Sequence, residues 1–183
     1  MKQIFLVACL AFALAACNSE TNDASKSDTK KEGNAKTADV ELPFKLDEPY
    51  KNWQMGSTEN AVAAMKSLKA FVDRDFSGLA ATLADSVEVR LDNFQTKKMA
   101  HDSAVKLLIE MRGTYQDIKI TMYDYISVIA ADKSEEWVTL WYKQVWMDDE
   151  GKKDSLNVID DFRMKGGKMA VLDEKIQRFQ MKK

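Results

Sequence analysis

The chain has 183 residues, 45% hydrophobic and 31% charged, with seven glycines and two prolines, which fits one globular domain with appendages and excludes a fibrous or low-complexity chain. Its formal net charge is −2, and no block of lysines and arginines supplies the basic footprint of a nucleic-acid binder. Cys9 and Cys17 both precede the globular part, so a chain processed at Cys17 has no disulfide framework, no thiol nucleophile and no cysteine metal ligand in its domain.

Lys2 gives a positive start, and residues 4–16 are apolar without interruption. The run is shorter than the roughly 20 residues a membrane-spanning helix needs, and matches the about 7–15 of a signal-peptide core. It ends in Leu14-Ala15-Ala16-Cys17, which resembles the bacterial lipobox. That resemblance implies a signal peptide over 1–16, acylation of Cys17 and a membrane-lipid partner held through it. Each buried methylene contributes about 0.8 kcal/mol, and more than one chain is needed for stable anchoring. An ordinary signal peptide cut after Ala15 or Ala16 is the alternative. Asn18, where inner-membrane lipoproteins resembling the enterobacterial pattern carry Asp, favours the outer membrane of a bacterial envelope.

Residues 18–39 contain no aromatic and no branched aliphatic side chain, too little apolar surface to offset chain entropy. The lipidated cysteine and a flexible tether are therefore expected over 17–47, with the folded domain over 48–183. Residues 40–56 gain Phe44, Tyr50 and Trp53 and read as an irregular segment packing on that domain. A helix is predicted from Ser57 or Thr58 to Arg74, with Ala61, Met65, Leu68 and Phe71/Val72 on one face. A short helix follows over Ser77–Leu83, then a strand through Val87, Val89 and Leu91. A third helix is expected over Asp102–Tyr115, capped by Asp102 or Thr96, with Val105, Leu108, Ile109 and Arg112 sharing a side. Beyond Gly113 the period becomes two: strands through Ile118–Val128, Trp137–Met147, Leu156–Met164 and Met169–Met181, with turns at Asp148-Asp149-Glu150-Gly151 and Gly166-Gly167. Helices first and long antiparallel strands after give an α+β class.

Three stretches carry a family resemblance: Phe71-Val72-Asp73-Arg74-Asp75-Phe76-Ser77-Gly78-Leu79 through Leu83-Ala84-Asp85-Ser86-Val87; Trp137 to Tyr142; and Ile159-Asp160-Asp161-Phe162-Arg163-Met164-Lys165-Gly166-Gly167-Lys168-Met169. They resemble the SnoaL-like and nuclear transport factor 2-like superfamily, which includes the ketosteroid isomerases. The resemblance covers residues 55–183 and implies a cone, a curved antiparallel sheet wrapped around three N-terminal helices, with a pocket at the open end. It also implies a homodimer through the convex sheet face.

Asp160 shares strand parity with Val158, Phe162 and Met164 and should point into the cone. The resemblance matches it to the aspartate that ketosteroid isomerases keep protonated, and a carboxyl in an apolar cavity should have a raised pKa. Tyr142, Phe71, Phe162 and Met164 are the other candidate pocket residues. Asp124 is a further candidate, interrupting the inward set Ile120, Met122, Ile126 and Val128; a bulge beside it would turn it outward. The isomerase pattern fails at two positions: its helix-1 tyrosine corresponds to Ser67 and its general base to Leu91, with Asp92 one residue late. His101, the only histidine, reads as an exposed cap-region residue. No metal site, phosphate-binding glycine loop or cofactor is expected. On the central strand Val138, Leu140 and Tyr142 should face inward, leaving Trp137 and Trp141 for a dimer partner or for cover by Phe44, Tyr50 and Trp53. The sequence thus points to an anchored domain binding a small, partly apolar ligand without evident catalysis. The alternatives are an isomerase or hydrolase using a pocket carboxylate, and an interaction module with a filled pocket.

Overall fold

The computed structural model describes residues 42–91, 95–148 and 150–178. The expected signal segment, Cys17, Asn18 and most of the expected tether lie outside the described residues, as do Asp92 and Asp149. The chain divides into two compact units, Met1–Lys45 and Leu46–Lys183. Of the first, residues 42–45 are described, and all are exposed.

The second unit holds β1 (Gln54–Met55), α1 (Thr58–Asp73), α2 (Phe76–Thr82), β2 (Leu83–Arg90), β3 (Thr96–Ala100), α3 (His101–Gly113), β4 (Gln116–Ile129), β5 (Glu136–Met147), β6 (Lys153–Lys165) and β7 (Lys168–Arg178). The Ser57 hydroxyl caps α1 by accepting from the Asn60 amide at 3.1 Å, while the Ser57 amide donates to Glu136 Oε1 at 2.7 Å and ties the helix start to β5. Ala61, Ala64 and Leu68 recur at helical spacing and are buried. The helix ends at Arg74, in the left-handed region at φ 59°, whose amide donates to the Ala70 and Phe71 carbonyls. One residue later Asp75 caps α2 by accepting from the Gly78 amide at 2.8 Å. The Asp75-Phe76-Ser77-Gly78 step is thus a capping device that starts the second helix directly behind the first.

The strands form one seven-stranded sheet in the order β1-β4-β5-β6-β7-β2-β3. All neighbours are antiparallel except β2 and β7, which run parallel. The sheet is curved and unclosed, with register shifts in the β4–β5, β6–β7 and β2–β7 pairings, where extra residues bend a strand. Gly166 and Gly167, at φ 59° and 75°, make the two-residue turn of the β6–β7 hairpin. The core lies between the concave sheet face and the helices, around Leu68, Leu79, Leu83, Val89, Leu108, Val138, Leu140 and Phe162.

Several expectations are corrected. Thr96 caps nothing: it opens edge strand β3, and α3 begins at His101 behind Ala100, which makes no side-chain cap bond. In β4 the inward set does not run straight through. Met122 pairs with Tyr142 but Asp124 pairs with Trp141, so Tyr123 is an extra residue and everything beyond it changes face. Ile126 and Val128 therefore lie opposite Thr139 and Trp137 on the convex side, while Tyr125 and Ser127 lie opposite Leu140 and Val138.

Candidate functional site

Strand parity alone brings the site together. Asp160 of β6 pairs with Leu140 of β5, and Tyr142 stands two residues further along, so the two side chains are diagonal neighbours on the concave face. Both are buried, at 4% and 2% exposure. The Tyr142 hydroxyl donates to Asp160 Oδ2 at 2.7 Å. Asp160 Oδ1 has no partner, and among the described residues it is the one buried side-chain oxygen or nitrogen of which this is true.

The electrostatics follow from that burial. Loss of solvent, and then the negative charge of Glu174, pushes the Asp160 carboxyl up to about 8, against the lowering effect of the Tyr142 hydrogen bond. Burial and then the charge of Asp160 push the Tyr142 phenol well above its ordinary range. Near neutral pH Asp160 is thus mostly a neutral acid. With Oδ2 accepting from Tyr142, its proton belongs on Oδ1, which then offers a donor; once ionised, the same atom offers an acceptor.

Asp160 lines a partly open cavity of about 50 Å³. Phe71 and Ser67 of α1, Leu79 of α2, Met111 of α3, and Phe162 and Glu174 of the sheet contribute to its wall. A cavity of this size admits a few waters or one small functional group. Pockets that enclose a drug-sized ligand run to about 300–1,000 Å³.

Of the candidate pocket residues, Asp160, Tyr142, Phe71 and Phe162 meet at this cavity. Met164 shares their parity and is buried, but it sits past the β6 register shift, toward the hairpin, and packs in the core outside the cavity. Asp124 is also not a pocket residue: the bulge at Tyr123 turns it outward, where it is exposed and accepts from the Tyr125 amide at 2.8 Å. Trp137 and Trp141 are half-buried on the convex face, Trp137 Nε1 donating to Glu135 Oε2 at 2.7 Å. Of the residues considered as cover, Phe44 is 82% and Tyr50 55% exposed, and Trp53 is half-buried.

The sequence reading missed three polar members of the wall: Glu174, Gln144 and Tyr115. Glu174 is the register partner of Asp160, and the alternation Leu172, Glu174, Ile176 was its available signal. Arg112 was expected to pack along α3, but it works as a staple. It is 5% exposed and donates to the Phe71, Val72 and Tyr115 carbonyls at 2.5 to 3.2 Å, locking the end of α1, and with it Phe71, against the end of α3. His101 opens α3, in the cap region as expected, and is half-buried rather than exposed. Its ring bridges Asp102 Oδ1 at 2.8 Å and the Ala80 carbonyl at 2.9 Å, and Asp102 and that carbonyl raise its pKa. Among the described residues no group of three or more His, Cys, Asp or Glu side chains is placed to hold a metal ion, and no helix is long and apolar enough to cross a membrane.

No protein-family model matches this sequence, and no curated protein matches it. Solved structures do match. An LEH-like epoxide hydrolase from M. tuberculosis aligns with a TM-score of 0.54 at 17% identity, over 66% of this chain and 84% of its own. A nuclear transport factor 2-like protein of unknown function from Burkholderia pseudomallei aligns with a TM-score of 0.54 at 18% identity, over 66% and 92%. A provisionally assigned ketosteroid isomerase from Kribbella flavida gives 0.51 at 11% identity, over 70% and 85%. The chain has the nuclear transport factor 2-like cone fold. At these identities the likeness is one of fold, and the chemistry of the cone rests on its own residues. Ser67, at the position matched to the isomerase tyrosine, lines the cavity with its hydroxyl 3.0 Å from Thr82 Oγ1. Leu91, matched to the isomerase base, packs on the core and does not line the cavity.

Proposed function

We propose that this chain is a bacterial envelope lipoprotein, anchored through Cys17, whose cone binds a small, partly apolar ligand at Asp160. The carrying observation is Asp160, which lines a mostly apolar cavity and whose Oδ1 is buried without a partner among the described residues. Leaving such an atom unsatisfied costs about 1–3 kcal/mol, and a ligand that bonds it recovers that cost on binding. The volume favours a ligand that inserts one small group. The hydrophobic run and Leu14-Ala15-Ala16-Cys17 support the anchor.

Native mass spectrometry of the purified full chain tests this reading. Wild type should carry a small-molecule adduct, or acquire one on incubation with envelope extract, and Asp160→Asn should not. Absence of any adduct on either protein overturns it.

A hydrolase or isomerase reading has one observation in its favour. Two carboxyl side chains, Asp160 and Glu174, face one cavity, and burial raises the pKa of Asp160; a carboxyl held neutral in this way can serve as the acid in an enzyme. The matched base position is Leu91, however, so this reading needs Glu174 as the base.

A further inference from the structure

We propose that the cone reads its ligand through Gln144, and that the group it accepts carries a hydrogen-bond donor and an acceptor side by side, as the edge of a lactam or carboxamide does. This rests on the ligand-binding reading above and names the chemistry of that ligand.

The first ground is the setting of Gln144. It is 7% exposed and lines the cavity. Along β5 it stands between Tyr142 and Trp146 on the concave face, and across the sheet it pairs with Ile120 of β4 and Leu156 of β6. All four belong to the core or pack against it. An amide in such company costs stability unless it is bonded, and a leucine or methionine would fill the place without that cost.

The second ground is which polar groups of the wall are already committed. The Tyr142 hydroxyl is given to Asp160, and the Ser67 hydroxyl lies 3.0 Å from Thr82 Oγ1. Tyr115 and Glu174 have partners of their own. The Gln144 side chain makes no hydrogen bond among the described residues. Nor is it sealed. Asp160 Oδ1 is the one unpartnered atom cut off from solvent among the described residues, so both ends of the Gln144 amide are in reach of water.

The third ground is what a ligand must replace. A partly apolar molecule entering beside Phe71, Met111 and Tyr115 expels that water. Gln144 then loses a partner at its carbonyl and another at its NH2 group. A ligand carbonyl serves the NH2 group and strands the carbonyl, whereas an N–H beside a C=O serves both. A carboxylate also serves the NH2 group alone, and it brings a charge against an apolar wall. The edge of an amide suits a cavity of about 50 Å³, with the rest of the molecule in its opening.

The experiment is calorimetric titration of the purified full chain with three probes: δ-valerolactam, its N-methyl derivative, which keeps the carbonyl and lacks the donor, and cyclohexanone. Wild type should bind the lactam about tenfold more tightly than either of the others. Gln144→Met, close to wild type in volume, should bring the lactam down to the level of cyclohexanone and leave cyclohexanone unchanged. The variant should also melt at or above the wild-type temperature, by up to about 4 °C, because an unbonded amide has given way to an apolar side chain. A lower melting temperature would reveal an amide bonded within the protein and overturns the proposal, as does a lactam preference that survives in Gln144→Met. Equal affinity of wild type for the three probes, a comparison that needs no variant, overturns it while leaving the ligand-binding reading standing. Failure of all three probes to bind overturns both.

Discussion

The Tyr142 hydroxyl donates to one oxygen of Asp160 at 2.7 Å and leaves the other oxygen buried and unpartnered. The tyrosine therefore orients the acid and leaves its second oxygen without a partner among the described residues.

The stability of the domain should depend on pH through this residue. A carboxyl raised from its ordinary value to about 8 binds its proton more tightly in the folded chain. Its penalty is absent below the unfolded value of about 3.9 and grows as pH rises toward 8. From pH 5 to pH 8 wild type should lose on the order of 3 kcal/mol relative to Asp160→Asn. Thermal melts of the two proteins across that window measure the difference. Parallel curves would show a solvated carboxyl.

Arg112→Met should destabilise the domain by about 1–3 kcal/mol, since it strands the Val72 carbonyl and leaves those of Phe71 and Tyr115 to Arg74 alone. Arg112→Lys should recover only part of the loss, because a single ammonium cannot span three acceptors as a guanidinium fork does. Urea denaturation midpoints read both effects, and unchanged midpoints would exclude the staple.

We propose that the convex face pairs with a second copy of the chain. Trp137 and Trp141 are half-buried there and Ile159 is 36% exposed, so that face presents large apolar side chains to solvent. Trp141→Glu should convert a dimer to a monomer in light scattering of the purified chain. Monomeric wild type at high concentration would end this proposal.

The anchor is tested in cells. Cys17→Ser should abolish incorporation of an alkyne fatty acid and leave unprocessed or soluble protein. Equal labelling of wild type and variant would refute lipid attachment at this residue.

The concave half of the site was legible because strand parity is a strict period of two. Val138, Leu140, Tyr142, Val158, Asp160 and Phe162 all face inward as the alternation requires. The same rule failed in β4, where one extra residue, Tyr123, reverses the faces and carries Asp124 out of the cone; nothing in local composition marks such an insertion. Edge strand β3 escaped notice because Thr96-Lys97-Lys98 is exposed and charged, the composition that keeps a sheet edge from pairing with another chain. Arg112 was visible as a residue but not as a clamp, because the carbonyls it serves lie up to 41 residues away in the chain.

The parallel β2–β7 pairing sets the order in which the molecule is assembled. Arg90 meets Asp173 across 83 residues of chain, so β2 finds its inner neighbour only when the last strand has been made. Such distant pairing slows folding, because loop closure must come before the contacts that reward it. An emerging chain of this kind keeps β2 without its inner neighbour until the C-terminal hairpin has been made.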